Sequence, residues 1–232
     1  MMSVNEKLLE WYRFFLFGRL IVGVNHELDN YLSVVLGYAE LLSSFSSDED
    51  KVVEIGGKIM GSAEKISDMF KNYSTYVRPH KNDDNLFKVK ETINDLISFA
   101  GFELRRKGVV LDLEYHCEDT NLMGDRRNFA FMLLNIMLNA SEAAMETGGK
   151  QVVSFRKESS CTIISIADTG KGIPQNYQEK IFQPWFSTKP ENFRMGLGLP
   201  ISRYIAHQFR GEIRFKSDPG QGTEFQIIVP GG

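Results

Sequence analysis

The sequence predicts an α+β protein in two parts, an N-terminal helical hairpin followed by a layer of helices on a mixed sheet. Three observations carry that prediction. Apolar side chains recur in alternating steps of four and three through the first third of the chain. A proline with clustered polar residues then ends the period. Beyond it, apolar runs of strand length come in adjacent pairs between helix-length segments, which excludes a doubly wound fold. The 232 residues are enough for both parts.

The first helix lies within residues 5–45, with a heptad seam at Phe17, Ile21, Val24, Leu28, Tyr31, Val35, Tyr38, Leu42 and Phe45. Ser43 to Asp48 is a polar turn, and Asp48 has the chemistry of an N-cap. A second series follows at Val52, Ile55, Ile59, Ser62, Ile66, Met69, Tyr73 and Tyr76. A hairpin of two amphipathic helices leaves an apolar flank uncovered, and pairing with a second copy as a four-helix bundle buries it. Packing on the C-terminal part of the same chain is the alternative.

Arg78 to Asn85 has the profile of a linker, so the division is a hairpin over 1–80, a linker over 81–85 and a second domain over 86–232. In the second domain the pattern predicts a helix over 89–107, a strand Val109–Tyr115, a helix over 126–147, and strands Gln151–Arg156 and Cys161–Ala167. A glycine-rich stretch runs from Asp168 to Leu197. A helix over 198–209 and strands Glu212–Ser217 and Thr223–Val229 close the chain, the last two joined by the turn chemistry of Asp218 to Gly222.

Charge narrows the function. With 27 basic and 30 acidic residues the net charge is −3, and neither part is a basic module, so no nucleic-acid role is implied. The longest apolar run, Phe14 to Val24, is interrupted by Arg19 and is about half of the roughly twenty residues a membrane helix needs. Cys117 and Cys161 stand far apart without a motif and read as buried thiols of a reducing cytoplasm.

Four segments carry candidate chemistry. Asp168-Thr169-Gly170-Lys171-Gly172-Ile173-Pro174 follows an apolar strand. Its alternate glycines permit a sharp turn against a ligand, and its carboxylate can accept a hydrogen bond from an exocyclic amine such as that of adenine; taken alone it is also an ordinary hairpin loop. Asn135 and Asn139 stand one helical turn apart among Phe131, Met132, Leu134, Ile136 and Leu138. Two amides on a core helix are costly unless they bind a ligand or a neighbouring loop. Gly196 and Gly198 precede a helix whose free N–H groups suit a phosphate. Between the Asp168 loop and these glycines, Phe182 and Phe186 with Thr188 and Lys189 lie in a non-periodic stretch of the kind that forms lids. His26 is separate: two residues from the seam positions Val24 and Leu28, it lies about 200° round the helix and faces solvent. Asn30 and Ser33 continue that polar stripe.

In order and rough spacing, Asn135–Asn139, Asp168–Pro174, Phe182–Phe186 and Gly196–Leu199 resemble the N, G1, F and G2 boxes of the sensor histidine kinases, within the GHKL ATPases. Gly18 to Asn30 resembles the H box of their nitrogen-regulation type, and Gly222-Thr223-Glu224-Phe225 their closing G-T-x-F element. The resemblance covers essentially the whole chain. It implies a hairpin dimerising as a four-helix bundle, followed by an α/β-sandwich of the Bergerat type that binds ATP and Mg²⁺. It implies that Asp168 reads adenine with support from Thr223 and the Gly170 and Gly172 turn. It implies that Asn139 holds Mg²⁺, that Asn135 lies beside the phosphates, and that Gly196, Gly198, Phe186 and the lid cover the triphosphate, with Lys189 as a phosphate partner. His26 then accepts the γ-phosphoryl group, Glu27 acts as general base or orienter, and the group passes to a response-regulator receiver domain. The Glu27-x-x-Asn30 spacing resembles the family's phosphatase motif, in which the amide orients a water. The implied protein is a homodimeric, ATP-dependent protein-histidine autokinase and phosphatase; a kinase-like scaffold or phosphotransfer adaptor is the alternative.

Three positions depart from the pattern. Tyr31 stands where the family usually has proline, so the first helix should run straighter there. Glu142 replaces a common lysine, and Arg194 replaces the first glycine of the usual G-x-G-x-G. With about 80 residues in the hairpin and about 150 in the ATPase layer, no part of the chain reads as a sensor. The expectation is a cytoplasmic core whose input comes from a separate protein or ligand, or from an upstream, membrane-anchored region.

Overall fold

The computed structural model describes residues 4–45, 47–77, 84–105, 108–158, 160–188 and 195–231. The chain divides into two compact units: Arg13–Pro79, and Met1–Tyr12 together with His80–Gly232.

The hairpin unit is built from α1 (Val4–Ser44), from Arg13 onward, and α2 (Glu49–Val77); the first turns of α1 belong to the other unit. Asp48 caps α2, its carboxylate accepting from the Lys51 N–H at 3.1 Å while Glu49 and Asp50 face the positive end of the helix dipole. The heptad pattern appears as burial: Val24, Ile55, Ser62 and Met69 are buried, and Leu28, Tyr31, Val35, Tyr38, Leu42, Val52, Ile59 and Ile66 half-buried. The ammonium groups of Lys58 and Lys65 sit 5.2 Å above the rings of Tyr38 and Tyr31, tying α2 to α1. Helix α1 passes through Tyr31 unbroken. On the flanks, Leu36, Val53 and Met60 are 64%, 71% and 62% exposed, with Leu32 and Phe70 near half.

The second unit contains β1 (Asp84–Lys88), α3 (Val89–Leu104), β2 (Val110–Tyr115), β3 (Asn121–Asp125), α4 (Arg126–Met145), β4 (Lys150–Glu158), β5 (Cys161–Asp168), the short α5 (Gln175–Gln178), α6 (Gly198–Gln208), β6 (Glu212–Asp218) and β7 (Gly222–Pro230). The main sheet has the order β2-β4-β5-β7-β6; β2 and β4 are parallel and every other pair antiparallel, the mixed sheet expected. Inward-facing side chains alternate along β4 (Gln151, Val153, Phe155) and β7 (Phe225, Ile227, Val229). Helix α4 is buried on most of its surface, with Phe129 to Leu134 buried, because it packs against α3, α6 and the sheet at once. Its N-cap Asp125 accepts from the Arg127 and Asn128 N–H groups at 2.8 and 3.1 Å. Ser141 donates to the Leu104 carbonyl at 2.6 Å, and the Gln151 amide to the Met137 carbonyl at 3.0 Å, joining α3, α4 and β4.

Two strands go beyond the sequence reading. β1 takes in Asp84 and Asn85, assigned above to the linker, and pairs antiparallel with β3. Each has few inward residues, Phe87 in β1 and Leu122 with Asp125 in β3. What holds β1 is tertiary: the Phe87 ring lies 5.2 Å from Phe129 and 6.1 Å from Phe209. Cys117 and Cys161 are free, and half-buried rather than buried.

Candidate functional site

β5 ends on Asp168, which faces Thr223 of β7 across the ladder, while Thr223 faces Ser217 of β6. Asp168 and Thr223 are 7% and 6% exposed. The Asp168 carboxylate accepts from the Gly170 N–H at 2.9 Å, so it folds its own loop back as an Asx turn. The loop is then stitched to the β6–β7 turn: the Gly220 N–H donates to the Lys171 carbonyl at 2.8 Å, and the Ile173 N–H to the Ser217 hydroxyl at 2.8 Å. Ser217 also meets the Thr223 hydroxyl at 2.9 Å. Two glycines make this approach feasible. Gly222 has φ +87° and a Cβ there would lie 1.9 Å from the Asp168 carbonyl; Gly172 has φ +68° and its Cβ would lie 2.2 Å from the Asp218 carbonyl. Gly170 packs on the backbone of Ala143, with 2.6 Å to an added Cβ.

The facing wall is α4. Asn135 is 3% exposed and its amide nitrogen has no hydrogen-bond partner. Asn139 and Glu142 are half-buried. Asn135, Asn139 and Ala143 follow at intervals of four, on one face over about 12 Å of helix. One end of that face meets Gly170 at Ala143. At the other end the Asn135 carbonyl oxygen lies 3.5 Å from where a Cβ on Gly198 would stand, at the N-terminus of α6. This stretch of α4 face, here the trough, runs from the loop folded by the Asp168 carboxylate at one end to the N-terminus of α6 at the other.

The segment before α6 closes beside the Gly198 end. The Trp185 N–H donates to the Gly196 carbonyl at 3.0 Å, and Gly196, at φ +63°, fits against the Phe186 backbone. Phe186 packs 5.6 Å from Tyr177, and Phe182 6.1 Å from Phe215 with the Arg203 guanidinium 4.9 Å above its ring. Lys189 and Arg194 lie outside the described residues. The structure thus brings together Asn135, Asn139, Asp168, Gly170, Gly172, Phe186, Gly196, Gly198 and Thr223 in one unit. His26, Glu27 and Asn30 lie in the hairpin unit, with His26 and Asn30 exposed as the helical geometry predicts, and Glu27 half-buried. Sequence reasoning missed Ser217, which is visible only once β6 and β7 are in register.

Among the described residues no three His, Cys, Asp or Glu side chains converge on a metal site. A cation here would be held by an amide oxygen and by anionic ligand oxygens, the mode Mg²⁺ adopts with nucleotides.

Residues 124–232 match the family described as histidine kinase-, DNA gyrase B- and HSP90-like ATPase. The matched residues run from the end of β3 through β7, just under half of the chain. The α4 face that carries Asn135 and Asn139 falls within the matched residues. Relatives extend the similarity beyond the domain. The signal transduction histidine-protein kinase AtoS of Escherichia coli (strain K12) is 32% identical over 92% of this chain and 34% of its own length. Sporulation kinase C of Bacillus subtilis (strain 168) is 26% identical over 99% of this chain and 53% of its own length. The chain therefore spans about a third to a half of these relatives. Among solved structures, the catalytic domain of histidine kinase ThkA has a TM-score of 0.58 at 28% identity, covering 64% of this chain and 96% of that one. ThkA in complex with response regulator protein TrrA has a TM-score of 0.56 at 22% identity, covering 100% of this chain and 68% of that one. The chain is a relative of the sensor histidine kinases, and its ATPase domain has their α/β-sandwich fold.

Proposed function

We propose that the chain is the kinase core of a sensor histidine kinase, an ATP-dependent protein-histidine autokinase with His26 as acceptor. The observation that carries this is the α4 face from Ala143 to Asn135, which joins the Asp168 loop to the N-terminus of α6 and holds a buried, unpartnered amide. In this reading Asp168 accepts the adenine exocyclic N–H, and Thr223, fixed by Ser217, supports the same contact. The α6 N–H groups from Gly198 receive the phosphates, with Lys189 as a further partner. Asn139, with the phosphate oxygens, would hold Mg²⁺, which when bound would supply charge neutralisation. The turn at Gly196 and the Phe186 segment keep water out.

His26 is the nucleophile. A neutral imidazole nitrogen bonds to the γ-phosphorus in line as the bond to the leaving β-phosphate oxygen breaks, giving N-phosphohistidine and ADP. Glu27 orients the imidazole and takes or holds its other proton. The phosphoramidate keeps its transfer potential, and a receiver-domain aspartate accepts the phosphoryl group. Asn30, one turn from His26, orients the water that hydrolyses the regulator's acyl phosphate. Support for a receiver partner comes from ThkA, whose structure includes a response regulator. The exposed flank of Leu36, Val53 and Met60 is the surface that a second copy covers in a homodimeric four-helix bundle. No helix among the described residues is long and apolar enough to cross a membrane, and the core works on the cytoplasmic side, where ATP and receivers are found; its input comes from a sensory region or protein.

Incubation with γ-labelled ATP and Mg²⁺ tests the proposal. Acid-labile label on the parent, lost in His26→Ala, is the expected result. Label that persists in His26→Ala refutes the assignment.

A further inference from the structure

Tyr12, near the start of α1, reaches the Gly198 end of the trough. It belongs to the same compact unit as the ATPase domain and is only 7% exposed. Its ring meets Phe131 edge-on, at 5.9 Å and 73°. Phe131 is one turn before Asn135 on the α4 face that lines the trough. The Tyr12 hydroxyl lies 2.9 Å from the position a Cβ on Gly198 would take, and the Asn135 carbonyl oxygen lies 3.5 Å from that position. Leu9, one turn earlier and 5% exposed, anchors the same stretch of helix.

We propose that Tyr12 is a plug over the triphosphate end of the nucleotide site, seated in the resting protein and withdrawn when ATP binds. The inference rests on the nucleotide reading of the trough. A phenol beside Gly198 and Asn135 occupies space next to the α6 N–H groups that receive phosphate, and leaves the Asp168 end untouched. The plug therefore discriminates by phosphate number and not by base. Because Tyr12 lies on α1, the helix that carries His26, displacement of its first turns links nucleotide entry to the phospho-accepting helix. When the binding-competent state is populated in a fraction of molecules, apparent affinity falls by that fraction; a plug seated in about nine molecules of ten weakens ATP binding about tenfold.

Calorimetric binding to the full chain tests this, using a non-hydrolysable ATP analogue, ADP and adenosine against the parent, Tyr12→Phe and Tyr12→Ala. The expected result for Tyr12→Ala is about tenfold tighter binding of the ATP analogue, a smaller gain for ADP and none for adenosine. Tyr12→Phe keeps the ring on Phe131 and loses the hydroxyl at Gly198, so its gain is intermediate, and it carries the test should the alanine variant fail to unfold cooperatively. ATP-analogue binding that is unchanged or weaker in a cooperatively folding variant overturns the plug while leaving the nucleotide site standing. Adenosine binding that is absent throughout, or indifferent to Asp168→Asn, overturns the nucleotide reading and the plug with it.

Discussion

Replacing Asn135 by leucine should make the protein more stable and useless for its ligand. The amide is 97% buried by its 3% exposure, and its nitrogen has no hydrogen-bond partner. Leaving a buried donor unmade costs about 1–3 kcal/mol. Leucine has the same branching and no polar atoms, so it removes that cost and adds apolar burial, offset by about 1 kcal/mol of crowding from its larger methyl groups. The net gain is about 2 kcal/mol, and for a unit of this size a gain of that order raises the unfolding midpoint by about 4–8 °C. Scanning calorimetry without nucleotide measures it. With Mg²⁺ and ATP at about a hundred times Kd the order reverses, because the parent gains about 2.7 kcal/mol from its ligand and the variant gains nothing. Midpoints below the parent's for both Asn135→Leu and the smaller Asn135→Ala, which cannot overpack, would refute the idea that this amide is kept for a ligand at the expense of stability.

Asp168→Asn should keep the fold, because an amide oxygen can still accept from the Gly170 N–H, while nucleotide binding falls by at least tenfold as the charge-assisted bond to the adenine amine is lost; equilibrium titration with an ATP analogue decides it. Gly222→Ala forces a Cβ to within 1.9 Å of the Asp168 carbonyl at φ +87°, so urea unfolding should show a loss of about 3 kcal/mol or more with little change in slope. Val53→Glu, at a position 71% exposed, should leave helix content alone and shift the species to monomer in sedimentation equilibrium; a dimer that survives places the seam elsewhere.

The hairpin was legible because its seam is local. A period of alternating threes and fours depends only on helix geometry, and the half-buried row from Leu28 to Leu42 follows it. The same geometry placed His26 on the exposed side. The trough was legible through its punctuation: glycines at 170, 172, 196, 198 and 222 mark backbone that must come close, and two amides in an apolar helix mark a polar task. β1 and β3 were illegible because neither is stable alone; Phe87 needs Phe129 and Phe209, more than forty and a hundred residues on. Ser217 and Tyr12 escaped for a related reason. A serine at a strand end and a tyrosine on an amphipathic helix are ordinary in sequence, and only register and packing put one against Thr223 and the other against Gly198.

The place of β7 in the sheet has a consequence for how the protein is made. β7 follows β5 and β6 in chain order, yet it lies between them in the sheet. Until it arrives, β5, with Thr162 to Ile166 buried in the folded protein, has an open hydrogen-bonding edge. The stretch of roughly sixty residues from Asp168 to Pro230 takes about 3–12 s to synthesise. For that interval the nascent chain is most exposed to wrong pairing, and Asp168 has no Thr223 beside it. A chain cut short before Thr223 would therefore lack both the seal on β5 and the partner that faces Asp168 across the ladder. Nucleotide, by stabilising only sheets that have closed, selects for correctly completed molecules.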